Sequence, residues 1–266
     1  MDSFDLTGRS ALVTGGSQGI GREIALALAA AGADVAIVAR LPEAVSLGTE
    51  RIHRPVDSVV LEIEALGRRS VGLVADVRDP EQVRRMAREA DKALGGVDIL
   101  VNNAGATWGE TFRMGPLLEM TADDFEECLR LNLKSVFLCS SAVAPGMLER
   151  GRGAIVNLAS QSGQAASPNN GLYGAAKAGV INLTQTMSIE WAPAIRVNAI
   201  APGTVQHADR AAVHPYARGR ASVADRVAMG RAGTAQEMAG AVVYLASDAA
   251  AYTTGTVIDI NGGRRL

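Results

Sequence analysis

Short apolar runs at 11–14, 35–39, 70–75, 99–101, 154–158, 196–200 and 257–260 alternate with longer segments in which apolar residues return every three or four positions. Those longer segments lie at about 22–31, 57–66, 80–93, 122–149, 172–190 and 234–246. The runs are too short for helices and read as buried strands; the periodic segments read as helices with one apolar face. Strict alternation of the two predicts an α/β fold: a doubly wound, seven-stranded parallel sheet with right-handed crossovers and helices on both faces. Ligands of such sheets sit beyond the carboxyl ends of the strands, so the residues just after each strand are those to read for function.

Two stretches interrupt this rhythm. Residues 41–56, with Pro42, Gly48, His53 and Pro55, form an insertion longer than most connections of this kind; it either covers the site beside Arg40 or extends from the surface. Residues 204–223, with His207, His214 and Pro215, follow a strand on the binding edge and read better as a substrate lid than as a plain surface loop. No repeat or linker divides the chain, and one domain over 1–266 is expected.

Composition narrows the picture. Hydrophobic residues make up 48% and aromatic ones only 4%, which suits a core of small and branched side chains between parallel strands. A net charge of −2 and a pI near 6.0 give no reason to expect nucleic acid or an anionic membrane as partner. There is no basic leader with a long apolar run, and no run of about 18 consecutive apolar residues; a cytoplasmic protein without a membrane partner is expected. Cys128 and Cys139 fall in one predicted helix, roughly 16 Å apart at 1.5 Å per residue. They are therefore read as packing residues and not as a disulfide, and no metal-ligand spacing appears.

The segment Thr14-Gly15-Gly16-Ser17-Gln18-Gly19-Ile20-Gly21 joins the first predicted strand to the first helix. Glycines allow a tight turn and close approach of a phosphate to the amides, and the helix start offers unpaired N–H groups and the positive end of its dipole. By itself the segment could also be a turn with no ligand. Tyr173 and Lys177 stand four apart on a predicted helix and so share a face. A lysine ammonium there is expected to lower the tyrosine pKa and fit it for proton transfer near neutrality; the bland alternative is a surface pair. Ser160 follows the fifth strand, where its hydroxyl could bond a substrate carbonyl or merely cap a backbone group, and Ser162 competes for that task. Asn132 lies among leucines and needs a hydrogen-bond partner, either a backbone carbonyl or a water near Lys177.

Taken together, the glycine segment, Asp76-Val77, Asn102-Asn103-Ala104-Gly105, Asn132, Ser160, Tyr173/Lys177 and Pro202-Gly203 resemble the single-domain branch of the short-chain dehydrogenase/reductase family over essentially the full length. That resemblance implies an oxidoreductase interconverting a carbonyl and a secondary alcohol. It makes Tyr173 the acid/base, Ser160 the group polarising the carbonyl, Lys177 a partner of the nicotinamide ribose, and Asn132 the support of a water relay. It also implies cofactor contacts at Gly15, Ser17, Gln18, Gly19, Ile20, Gly21, Asp76, Val77, Asn103, Ala104, Gly105, Tyr173, Lys177, Pro202, Gly203 and Val205. It suggests a homotetramer, or a dimer, through 122–149, 172–190 and 257–266.

The second strand ends without an acid and is followed by Arg40, whose fork suits a 2′-phosphate, so NADP(H) is expected over NAD(H) although Gln18 replaces a basic residue frequent in NADP-using relatives. His207 stands where relatives often carry a hydroxyl residue. Trp108, Ser160, Tyr173 and His207 are the candidate substrate contacts, and a sugar, a steroid, a 3-oxoacyl thioester or another ketone all fit. The rivals are a cofactor-binding protein without catalysis, and a dehydratase, epimerase or enoyl reductase of the same fold. Enoyl reductases of this lineage usually alter the tyrosine spacing and the glycine segment, and neither is altered here.

Overall fold

A computed structural model describes residues 3–40, 56–107, 112–206 and 227–263. Seven strands form one sheet: β1 (Ser10–Thr14), β2 (Asp34–Ala39), β3 (Ser70–Val74), β4 (Ile99–Asn102), β5 (Gly153–Leu158), β6 (Ile195–Pro202) and β7 (Val257–Ile260). Their order is β3-β2-β1-β4-β5-β6-β7, every pair parallel. The helices are α1 (Gly19–Ala30), α2 (Asp57–Ala65), α3 (Pro80–Leu94), α4 (Ala122–Leu129), α5 (Ser135–Arg150), α6 (Gly171–Glu190) and α7 (Ala235–Ala246).

Period-two alternation divides the strands between two cores. Ala11, Val13, Val35, Ile37, Ile99 and Val101 pack under α1, α2 and α7, whereas Leu12, Ala36, Val38, Leu100 and Ile155 pack under α3 and α5. Both faces of the sheet are thus covered, which is why the strands read as continuous apolar runs. Helix starts follow their local signals. Asp79 accepts from the Glu81 and Gln82 amides with Pro80 at the first helical position of α3. Thr121–Asp124 and Thr234–Glu237 form capping boxes on α4 and α7.

Three expectations are adjusted. The helix read from residue 22 begins at Gly19, because the last glycines of the turn already belong to its first turn. The strand read over 196–200 extends to Ile195–Pro202, since β7 pairs with it as far as Pro202↔Ile260. The helix read as one over 122–149 is broken into α4 and α5 by a π turn at Arg130–Lys134, into which the Asn132 amide reaches and donates to Cys128 O at 3.1 Å. An 18-residue window within Ala122–Arg150 has a mean hydropathy of 1.3, so this stretch is long and apolar enough to cross a membrane by composition. Polar and charged residues nevertheless interrupt it, and it holds no unbroken apolar run of about 18. Here it is a core helix: Cys139, Val143, Ala144 and Met147 are buried against the sheet. Of the 41–56 insertion only Val56 is described; it is fully buried and adjoins α2.

Polar groups also cross the core. Asn102 Nδ2 donates to Ser140 Oγ at 2.9 Å and to Asn157 Oδ1 at 2.8 Å, and Asn157 Nδ2 donates to Thr184 Oγ1 at 2.9 Å. This chain ties β4 and β5 to α5 and α6 just beneath the carboxyl ends. Replacing Asn157 by Ala removes two buried hydrogen bonds and leaves a void, and should lower unfolding free energy by about 2–3 kcal/mol in chemical denaturation. A loss below about 0.5 kcal/mol would show the network to be energetically idle.

Candidate active site

Strand order reverses direction between β1 and β4, so their connections leave to opposite sides and a cleft opens beyond their carboxyl ends. The glycine turn lines one side. Gly15 has φ +64°, a conformation side chains disfavour, and a Cβ on Gly21 would lie 2.1 Å from Gly15 O. Ser17 is half-buried and Gln18 exposed, whereas the side chain of Ile20 packs into the core. Gln18 provides no side-chain cap to α1, so the first amides of that helix face the cleft uncapped by it.

The turn after β4 is stitched to this loop. Asn103 Nδ2 donates to Thr14 O and Gly15 O, both at 3.0 Å, and the Asn103 and Ala104 amides both donate to Thr14 Oγ1 at 3.1 Å. Gly105 is exposed, and a Cβ there would meet Asn132 Oδ1 at 2.8 Å. Uncapped helix amides beside a turn kept clear of side-chain bulk fit the pyrophosphate of a dinucleotide. Arg40 emerges exposed directly after β2, and Asp76 and buried Val77 follow β3. Burial alone would raise the Asp76 pKa, but hydrogen bonds from Arg78 outweigh it, with the charges of Arg78 and Arg40 adding, and the carboxyl is held below its usual range. Beyond β6, Gly203 N donates to Ile260 O at 3.0 Å and Val205 bridges to Gly233, which fixes the Pro202–Val205 edge of the cleft.

The four candidate catalytic residues converge. Ser160 follows β5 and accepts from Ser162 N at 3.1 Å, so Ser162 turns its backbone, not a competing hydroxyl, toward Ser160. Tyr173 stands in the first turn of α6. Lys177, one turn on, lies with Nζ 5.5 Å from the Tyr173 ring centroid and donates to Leu158 O at 2.7 Å. Asn132, fully buried in the π turn, accepts from Ala106 N and donates to Ala106 O, each at 3.0 Å. Its amide therefore holds the loop after β4 against α4.

Burial pushes the Tyr173 phenol up to about 12, the hydrogen bond with Ser160 opposing it and the neighbouring Cys128 adding to it. Burial also brings the Lys177 ammonium down to about 8. The sequence expectation that Lys177 lowers the tyrosine is thereby corrected: burial sets the direction, and the group that opposes it is Ser160. The thiol of Cys128 is pushed up to about 11, also by burial, and both cysteines are free and buried.

Thr107, Phe112, Arg113, Met120, Asn170 and Leu172 are among the residues that line a small recess of mixed polarity beside Tyr173. Trp108 and His207 lie outside the described residues, as do 41–55 and the 207–223 part of the proposed lid. Sequence reasoning missed Thr14 as the hinge between the two loops, and Arg78. A hydroxyl directly before the glycines and a base two residues after Asp76 were the available signals.

A family model described as enoyl-(acyl carrier protein) reductase matches residues 15–265. The 3-oxoacyl-[acyl-carrier-protein] reductase FabG of Staphylococcus aureus is 38% identical over 256 residues, 96% of this chain and 97% of that one. Among solved structures, a short chain dehydrogenase from Burkholderia cenocepacia in complex with NADP superposes with a TM-score of 0.82 at 35% identity, covering 97% of this chain and 98% of that one. A 7α-hydroxysteroid dehydrogenase complexed with NADH and 7-oxo glycochenodeoxycholic acid gives a TM-score of 0.86 at 31% identity, covering 99% and 96%.

The depressed lysine has a measurable consequence. Between pH 8 and 10.5 the unfolded chain holds the Lys177 proton while the folded chain has lost it, so stability gains with rising pH at up to about 1.4 kcal/mol per unit. Chemical denaturation of the wild type and Lys177→Met across pH 7.5–9.5 should show their difference moving in favour of the wild type. A constant difference would refute the buried ammonium.

Proposed function

The chain belongs to the short-chain dehydrogenase/reductase family of oxidoreductases, and from that premise we propose that it reduces a carbonyl to a secondary alcohol with NADPH. The observation that carries this is the convergence of Ser160 and Tyr173 over a buried Lys177 at the carboxyl end of β5. The cofactor would supply the hydride. Ser160 Oγ donates a hydrogen bond to the substrate oxygen, where negative charge develops. Tyr173 Oη, protonated at neutral pH as an ordinary phenol is, gives up its proton to the same oxygen. The Lys177 ammonium beneath the ring stabilises the phenolate left behind, and Asn132 keeps the loop after β4 in place.

NADP(H) over NAD(H) rests on Arg40, whose guanidinium follows a strand ending in Ala39 where an acid would repel a 2′-phosphate. Similar structures carry either cofactor, so likeness alone does not choose between them. The family description favours an enoyl reduction as second reading. A hydroxyl and a phenol meeting at one point suit a carbonyl oxygen better than a carbon–carbon double bond, and a relative named as a 3-oxoacyl reductase supports the carbonyl. A small-molecule ketone, work in the cytoplasm, and assembly into a homotetramer complete the proposal. Assembly is supported by exposed Phe137 and Leu148 on α5 and Ile189 on α6.

Tyr173→Phe should lose at least about 100-fold in turnover with ketones while NADP⁺ affinity changes less than threefold; near-normal turnover would remove Tyr173 from the chemistry. Arg40→Asp should invert the kcat/KM preference from NADPH to NADH, and a wild type that already favours NADH would sink the cofactor assignment.

A further inference from the structure

Ser160 and Tyr173 have to act on the same substrate oxygen, yet they reach the cleft on different elements, one after β5 and the other on α6. Both elements are anchored. Ala159 N donates to Ile200 O at 2.9 Å, so the chain leaves β5 still bonded to β6. Lys177 Nζ donates to Leu158 O at 2.7 Å and ties α6 to the end of the same strand. Between these anchors the turn Gln161–Gly163 carries the backbone from Ser160 across the face of α6.

Backbone meets backbone there. A Cβ on Gly163 would stand 2.6 Å from Lys177 C, 2.7 Å from Ala178 N and 2.8 Å from Lys177 O. From the other side, a Cβ on Gly174 would stand 2.8 Å from Ser162 O. Neither glycine has a positive φ, so neither is demanded by its own backbone conformation. What demands them is the close approach. Within the turn, Gly163 N donates to Ser160 O at 2.9 Å and Ser162 N donates to Ser160 Oγ at 3.1 Å. The Ser160 hydroxyl is thus aimed by an amide whose own position is set by contact with α6. Ser167 Oγ donates to Ser162 Oγ at 3.2 Å, and Gln164 Nε2 donates to Asp259 Oδ1 at 2.6 Å, which hold the outer side of the turn.

We propose that Gly163 is a positioning residue for the reaction: with Gly174 it lets the Ser160 turn seat directly on the backbone of α6, and that seat sets where the Ser160 hydroxyl stands relative to Tyr173. This rests on the role given to Ser160 above. The atoms that a Cβ on Gly163 would strike belong to a helix whose Ala176, Lys177 and Val180 are buried, so they cannot yield locally. The turn has to retreat instead, by about 1 Å to restore an ordinary contact distance, and it carries Ser160 with it. A misplacement of about 1 Å can cost on the order of 100-fold in rate.

A double-mutant cycle on ketone turnover, with NADP⁺ affinity measured alongside, tests this. Gly163→Ala should lower kcat roughly 30-fold, while NADP⁺ Kd changes less than about threefold because α6 and Lys177 stay in place. Ser160→Ala should lower kcat at least as far. Adding Gly163→Ala to Ser160→Ala should then cost less than about threefold more, since the hydroxyl it displaces is already gone. Equal losses in the two backgrounds would overturn the inference and leave Gly163 a packing residue. Gly174→Ala probes the seat from the helix side. Alanine is the better helix former, so a glycine with no part in the seat should accept it; here kcat should fall roughly fivefold without a matching loss of Tm. If Gly163→Ala does not fold, the cycle of Gly174→Ala with Ser160→Ala decides in its place. A crystal structure of cofactor-free Gly163→Ala reads the displacement without any turnover. Ser160 should have moved away from Tyr173 with α6 in place, and an undisplaced Ser160 would overturn the inference. Near-normal turnover in Ser160→Ala sinks the role given to Ser160 instead, and the crystal structure still decides whether Gly163 sets its position.

Discussion

Where β1 and β4 end, the Thr14 hydroxyl donates to Val101 O at 3.3 Å and accepts the Asn103 and Ala104 amides, while the Asn103 side chain closes on the glycine turn. Parallel strands whose crossovers depart to opposite faces leave a gap at this point, and nothing in the sheet's own ladder fills it. These hydrogen bonds set the gap's width. Through Gly105 and Ala106 the same turn continues to Asn132, and a side chain at Gly105 would strike Asn132 Oδ1 at 2.8 Å and touch Lys177 Nζ at 3.4 Å. The cofactor end and the catalytic end of the cleft therefore share one support.

A second constraint is the buried charge. Lys177 is 3% exposed, and its ammonium donates to the Leu158 carbonyl at the end of β5. Taking an ammonium out of water is costly unless other groups solvate it, and one carbonyl replaces only part of a hydration shell. The lowered pKa is the sign of that incomplete solvation, and the raised tyrosine pKa has the same origin. Burial makes the phenol hold its proton more tightly, so in the proposed reaction its release depends on the ammonium 5.5 Å from the ring centroid and on charge developing at the acceptor oxygen. Ser160 opposes the burial effect on Tyr173 through a hydrogen bond, so in the proposed mechanism it would act on the proton donor as well as on the substrate oxygen.

Much of this was legible in the chain. The strands could be read because both faces of the sheet are covered, which makes each a short unbroken apolar run; the two core clusters are the same pattern seen from the sides. Tyr173 and Lys177 could be paired because helical spacing alone places them on one face. The π turn could not be read, since it depends on Asn132 finding Ala106, a residue brought near only by the fold. Nor could the direction of the tyrosine shift. Four-residue spacing predicts the neighbour but not the depth of burial, and depth decides the sign.

Arg78 was hidden for a related reason. A lone arginine in a polar turn after a strand has the look of a solvated surface residue, and only its geometry toward Asp76 and Glu127 distinguishes it. Arg40, by contrast, could be picked out by position, because the end of the second strand is where an acid or a base can meet the adenosine ribose in dinucleotide-binding folds. Specificity for a phosphorylated ribose depends on net charge over several residues, since Coulomb interactions at partly buried sites reach beyond a single contact. A cofactor preference inferred from one basic residue therefore weighs only part of that field.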